Sequence, residues 1–250
     1  MKTRFSAASA IAAVALFLSA FFGQGNAIAQ PVVPNPIPFM AGQVTPDTGA
    51  CVYSYDLPTR VSCAAGLVND QLLQLYGATP SYTYIHDGAV GLTQIGIDNK
   101  GEPIACGYVS AVIENMYCGG SINFGEHDLS FAQWRTSDPQ LAVALTAAHE
   151  SGHFIQTRFG LVNLTPIFTD ARVFPFEEQS DCVAGVIAAR WVEQGNFPDT
   201  ARNEGAAYFA SLGVEGELSH GGPEQRQDAF LLGYDGEDVQ TCGNPALGLR

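Results

Sequence analysis

Residues His149-Glu150-Ser151-Gly152-His153 read H-E-x-x-H, a spacing whose chemistry works only on a helix. There the two imidazoles lie four residues apart on one face and can grip one metal ion. Glu150 falls one residue round, beside the metal, where a carboxylate can take a proton from water. The chain must then supply a helix through this segment, a second element bearing a third ligand, and a close approach between them. The plain alternative is an exposed helix that happens to carry two histidines.

Local signals bound that helix. Asp138-Pro139 is an N-cap followed by proline at the first helical position. The pattern predicts a run to about Phe159, with Gly160 as the stop. Gly152 sits inside it at a cost of roughly 1 kcal/mol relative to alanine, which a close neighbour would justify.

A catalytic zinc needs three protein ligands and one open position. A second helix, from near Pro175 to about Gln194, offers Glu177-Glu178-Gln179-Ser180-Asp181. Glu177 and Asp181 share a face that continues through Ala184 and Ala188, with Gly185 beside it. Those small residues allow close packing against another helix. The expected metal set is therefore His149, His153 and Glu177. Asp181, one turn on, is expected to accept the free N–H of a metal-bound histidine. Glu178 points elsewhere and is expected to face water. An acidic first turn favoured by the helix dipole would place the same acids without any metal.

Further helices are predicted from about Thr200 to Leu212 and from Gly222-Pro223 to about Leu232. Upstream, β-formers bounded by glycine or aspartate suggest strands at Tyr82–Ile85, Gly91–Ile95, Tyr108–Ile113 and Ser121–Phe124. Only Val68–Tyr76 reads as a short helix there. Strands first and helices second imply an α+β fold, a small N-terminal sheet followed by a mainly helical half that carries the metal site.

The first residues read as an export signal. Lys2 and Arg4 precede an apolar run from Ala7 to Phe22, and Ala27-Ile28-Ala29 gives a small-x-small cleavage pattern. The expected division is a signal peptide over 1–29, a proline-rich extended segment over 30–50 and a single domain over 51–250. No segment outside the leader could span a bilayer. The chain's formal charge of −14 becomes more negative once Lys2 and Arg4 leave, which argues against nucleic acid and anionic membranes as partners. Six cysteines in an exported chain read as disulfides, with fifteen possible pairings. Neighbour pairing gives Cys51–Cys63, Cys106–Cys118 and Cys182–Cys242. The absence of any C-x-x-C spacing argues against a thiolate zinc site.

The segment from His149 to Gln156, H-E-S-G-H-F-I-Q, resembles the H-E-x-G-H-x-[VI]-Q helix of the bacterial neutral zinc metallopeptidases. Glu177–Gly185, E-E-Q-S-D-C-V-A-G, is similar to that family's E-x-Q-A-D-C-x-A-G. Ser219-His220-Gly221-Gly222-Pro223-Glu224-Gln225-Arg226 resembles its T-H-G-x-x-x-Q-R stretch, and Ala105-Cys106-Gly107 with Tyr117-Cys118 its paired-cysteine segment. The likeness runs from about Cys106 to Cys242. Phe154 stands where the family often has histidine, and Ser180 where it usually has alanine. The resemblance implies a zincin-like α+β fold, zinc as cofactor and hydrolysis of peptide bonds in a peptide or protein substrate.

On that reading Glu150 is the general base and His220 the candidate donor to the developing oxyanion, with Arg226 and Tyr117 as rivals. A brace for the last helix is the other role open to His220. The strand around Ser121–Phe124 is expected to bind substrate backbone. His86 is expected to be structural or exposed, and His127, between Glu126 and Asp128, to lie in a polar turn. Asn163-Leu164-Thr165 is a glycosylation sequon. The competing function is an exported zinc-binding protein that cuts nothing.

Overall fold

A computed structural model describes residues 41–53, 56–86, 93–97, 103–108, 116–118, 120–158, 173–216 and 220–243. All fall within one unit, Val33–Arg250. The leader, the sequon and the Phe159-Gly160 helix stop lie outside the described residues. So do the side chains of Cys106 and Cys118, and with them the pairing expected there.

The chain enters through a short strand, β1 (Ala41–Gln43), and a 3-10 turn over Thr48–Tyr53. This part of the proline-rich segment is tied to the fold by hydrogen bonds. β1 pairs with a later strand, Asp47 N–H donates to Ser62 O, and Ser62 Oγ donates to Thr45 O. Next comes α1 (Leu57–Tyr76), capped by the Asp56 carboxylate accepting from Thr59 N–H and closed by Gly77 at φ 66°. Sequence reading found only its last nine residues. Gly66 and Cys63 look like loop residues, yet each has a reason to be helical. A Cβ at Gly66 would lie 2.6 Å from the Thr48 backbone nitrogen, and Cys63 bonds to Cys51 across the same contact.

Five strands follow: β2 (Ser81–Ile85), β3 (Thr93–Ile97), β4 (Pro103–Tyr108), β5 (Met116–Cys118) and β6 (Ser121–Gly125). β3 and β4 form an antiparallel pair of their own. The other sheet has the order β1-β2-β6-β5, with β2 and β6 parallel and its other pairs antiparallel. β6 is thus an inner strand, hydrogen-bonded on both sides, and has no free edge for a substrate backbone. The edge nearest the metal-motif helix belongs to β5.

The chain then turns helical. α2 (Glu126–Ala132) takes the place of the polar turn expected at His127, whose ring meets Phe131 edge-on. α3 (Pro139–Arg158) starts where Asp138-Pro139 predicts, the Asp138 carboxylate accepting from Gln140 N–H at 2.8 Å. α4 (Phe174–Glu193), α5 (Ala201–Leu212) and α6 (Pro223–Gly236) complete the set, and a 3-10 turn over Val239–Cys242 follows. The architecture is α+β and mostly helical. It departs from the predicted order because a 20-residue helix precedes most of the sheet. Among the described residues no helix is long and apolar enough to cross a membrane.

α3 and α4 are the centre of the core and are buried along most of their length. α4 contacts α6 at backbone distance through glycines on both helices. A Cβ on Gly185 would meet Phe230 O at 2.1 Å, and one on Gly233 would meet Cys182 O at 1.9 Å. The disulfide Cys182–Cys242 ties α4 to the turn after α6. Gly233→Ala gains roughly 1 kcal/mol of helix propensity but forces the two backbones apart. We expect a net loss of about 1–3 kcal/mol, read as a lower urea midpoint with the disulfide intact.

Candidate metal centre

The sequence predicts a close helix pair, and the structure supplies it at Gly152. A Cβ there would lie 2.6 Å from Ser180 Cα, so any larger residue on α3 would push α4 away. At that separation Glu177 reaches across to both histidines. His149 Nε2 lies 3.3 Å from Glu177 Oε2, and His153 Nε2 lies 3.4 Å from Glu177 Oε1. One ligand atom from each of the three residues lies within 4.8 Å of the others, a grouping that could hold a metal ion. The side chains keep 12, 19 and 9 % of their exposure respectively, so the group is buried with a small opening. Gly185 faces α6 and not α3, so the small residue that brings Glu177 to the histidines is Gly152.

Each imidazole is held from behind. Asp181, with no exposed side-chain surface, places Oδ1 2.7 Å from His149 Nδ1. The same carboxylate accepts from Arg226 through Nε to Oδ2 and Nη2 to Oδ1, both at 2.8 Å. A carboxylate so placed accepts a hydrogen from Nδ1 and leaves the Nε2 lone pair facing Glu177. Arg226 is itself buried and stands over the Phe209 ring. Its guanidinium is thus a partner of Asp181, a role the sequence motif did not reveal. His153 Nδ1 lies 3.0 Å from Gln156 Oε1 and 3.1 Å from Ser180 Oγ. Sequence reading passed over Gln156, although a polar residue three positions after His153 on the same helix face is a signal for such a contact. Glu178 is half-buried, and burial, aided by Asp181, raises its carboxyl above the usual range.

Glu150 is 6 % exposed. Burial is the chief influence on its carboxyl and raises it, Glu177 acts the same way, and both histidines oppose them. The main-chain N–H of Tyr117 donates to it, tying the base to β5. The Tyr117 hydroxyl accepts from Gly120 N–H at 3.0 Å, bonds with Thr157, and its ring meets Phe154 edge-on. Tyr117 therefore joins strand to helix. His220 lies in the turn before α6. Its neighbour Gly221, at φ 88°, packs against Phe174 at the start of α4, three residues ahead of Glu177. His86 Nδ1 lies 3.5 Å from Glu126 Oε2, and its ring meets Tyr84 edge-on. Among the described residues the only group of three metal-ligating side chains is His149, His153 and Glu177.

Two imidazole nitrogens with their lone pairs turned inward and one anionic oxygen form a donor set that suits zinc. Without a metal the two imidazoles hold protons. Burial works against a charged His149, but Asp181 and then Glu177 outweigh it and push its pKa up to about 10. His153 is also raised, burial being overcome by Glu177. Burial would raise Glu177, but both histidines hold it well below its usual value. No family model matches the chain, and no curated protein or solved structure matches it.

The sign of the pH dependence follows. For the metal-free protein the His149 pKa of about 10 lies above its ordinary 6.5. The stability this proton adds is complete below 6.5 and disappears as pH rises through about 10. A metal must displace that proton, so apparent affinity should climb with pH up to about 10 and level off above it. Calorimetry at pH 8 in buffers of different ionisation enthalpy should record proton release on metal uptake; none would contradict the protonated cluster.

Proposed function

We propose that this chain is an exported zinc-dependent peptidase with a zincin-like site, its metal held by His149, His153 and Glu177. The observation that carries the reading is the convergence of those three side chains from α3 and α4 with Glu150 buried beside them. A site with only a structural task has no use for that second acid. The resemblance of the two helical motifs to the bacterial neutral zinc metallopeptidases supports the same reading. The basic, apolar leader and the disulfides Cys51–Cys63 and Cys182–Cys242 support export.

When bound, the metal supplies the Lewis acidity that makes water nucleophilic near neutral pH and polarises a carbonyl. Glu150 accepts the proton that water gives up, keeps it in its buried setting and returns it to the departing amine nitrogen. The Tyr117 N–H holds the carboxylate in place for both transfers. His220 is the candidate hydrogen-bond donor to the substrate oxygen as charge develops on it. The substrate backbone is read as lying along the outer edge of β5, because Tyr117 on that strand also anchors the base. Asp181 and Arg226 hold His149 at its angle and take no proton in the reaction.

Two variants test this. Glu150→Gln should keep the metal, measured by elemental analysis of the purified protein, and lose peptidase activity on a casein or mixed-peptide substrate. Metal retained with activity undiminished removes Glu150 as the base. A wild type that binds zinc and cuts nothing favours the non-catalytic zinc-binding protein. His220→Ala should lower kcat by about 10²–10³ with little change in KM. A change confined to stability would make His220 a brace for α6 instead.

A further inference from the structure

Gln156 is 1 % exposed and lies three residues beyond His153 on α3. Its Nε2 is 2.8 Å from the main-chain oxygen of Phe176, 3.1 Å from Gln179 Oε1 and 3.3 Å from Ser180 Oγ. A main-chain carbonyl can only accept, so the end of the amide that meets it must be the NH2 group. The amide oxygen therefore points the other way, to His153 Nδ1 at 3.0 Å. An oxygen can only accept as well, so Nδ1 carries the hydrogen and the lone pair is left on Nε2. That nitrogen faces Glu177 at 3.4 Å. A carbonyl on α4 thus dictates, through one amide, the tautomer of a histidine on α3. The carbonyl belongs to Phe176, the residue immediately before Glu177.

Resting on the reading of this cluster as a metal centre, we propose that Gln156 is a positioning residue that clamps two of the three ligands at once. Its oxygen fixes the ring of His153, and its nitrogen fixes the turn of α4 from which Glu177 projects. The two histidines are then backed differently. His149 has a charged partner in Asp181, itself neutralised by Arg226, whereas His153 has a neutral amide. A second carboxylate behind His153 would add negative charge to a buried site that already holds Glu150, Glu177 and Asp181. A neutral amide orients the ring without that cost and, unlike a carboxylate, also donates to the opposing helix. Ser180 Oγ is a weaker second acceptor, since it also receives from Gln156.

The test uses the full chain with its disulfides intact and zinc as the probe. Zinc affinity is measured by competition with a chromophoric chelator, and the tautomer by nitrogen NMR of isotope-labelled histidine. In zinc-loaded wild type, His153 should carry hydrogen on Nδ1 and metal on Nε2. Gln156→Met keeps the length but removes every hydrogen bond of the side-chain amide, and should weaken zinc binding about 10–100-fold. Gln156→Glu keeps the acceptor and should recover part of that loss, with the Nδ1 hydrogen still present. Ser180→Ala should cost less than Gln156→Met. Metal on His153 Nδ1 in wild type overturns the clamp even if Gln156→Met does not fold. So does a folded Gln156→Met that binds zinc as tightly as wild type. Either result leaves the metal centre standing. A wild type that takes up no zinc removes the metal centre and the clamp together.

Discussion

The approach of α3 to α4 at Gly152 is the contact on which the candidate site depends. Helices that meet through ordinary side chains keep their axes 8–10 Å apart. With the Ser180 Cα 2.6 Å from where a Cβ on Gly152 would stand, the two helices meet backbone to backbone at this point. A carboxylate side chain is short, and Glu177 reaches two imidazoles on the opposite helix only because of this contact. The glycine that weakens α3 by propensity is therefore what lets α3 share a ligand set with α4.

Burial of so many charges requires pairing. Arg226, Asp181, His149, Glu177 and His153 form one continuous chain of contacts between 2.7 and 3.4 Å. An unpaired ion in such a setting would cost several kcal/mol, so each member depends on its neighbours for its charge state. This explains why burial and pairing act in opposite directions on both histidines and on Glu177, and why pairing prevails. Glu150 is the exception. The main-chain N–H of Tyr117 donates to it, yet burial prevails there and raises the carboxyl above its usual range. A group with that balance can take a proton and release it again.

Much of the site was legible in the sequence because helical spacing is a strong local rule. His149 with His153, and Glu177 with Asp181, each lie four apart, and a helix leaves little choice about which residues share a face. The cap at Asp138-Pro139 is legible for the same reason, whereas Cys51–Cys63 and Cys182–Cys242 follow from pairing each cysteine with its neighbour in sequence. What escaped depends on contacts distant in sequence. The first half of α1 is not legible because Gly66 and Cys63 owe their presence to Thr48 and Cys51. Nothing local in Ser121–Phe124 tells an inner strand from an edge, so the place of β6 in the sheet is not legible. Arg226 looked like a free donor because only the folded chain brings it to Asp181.

One turn and a half of α4 gathers nearly all these long-range ties. Phe176 O accepts from Gln156, Glu177 meets both histidines, and Gln179 accepts from Gln156 while donating to Cys242 O. Ser180 sits under Gly152, Asp181 joins His149 to Arg226, and Cys182 is bonded to Cys242 with Gly233 against its carbonyl. These partners approach from α3, from α6 and from the turn after α6, so they surround the helix. A helix held on one side can roll about its axis and swing a ligand away; one held all round cannot. The placement of Glu177 is therefore set by the ring of neighbours. The helical propensity of the sequence around it supplies only the spacing that lets each residue meet its own partner.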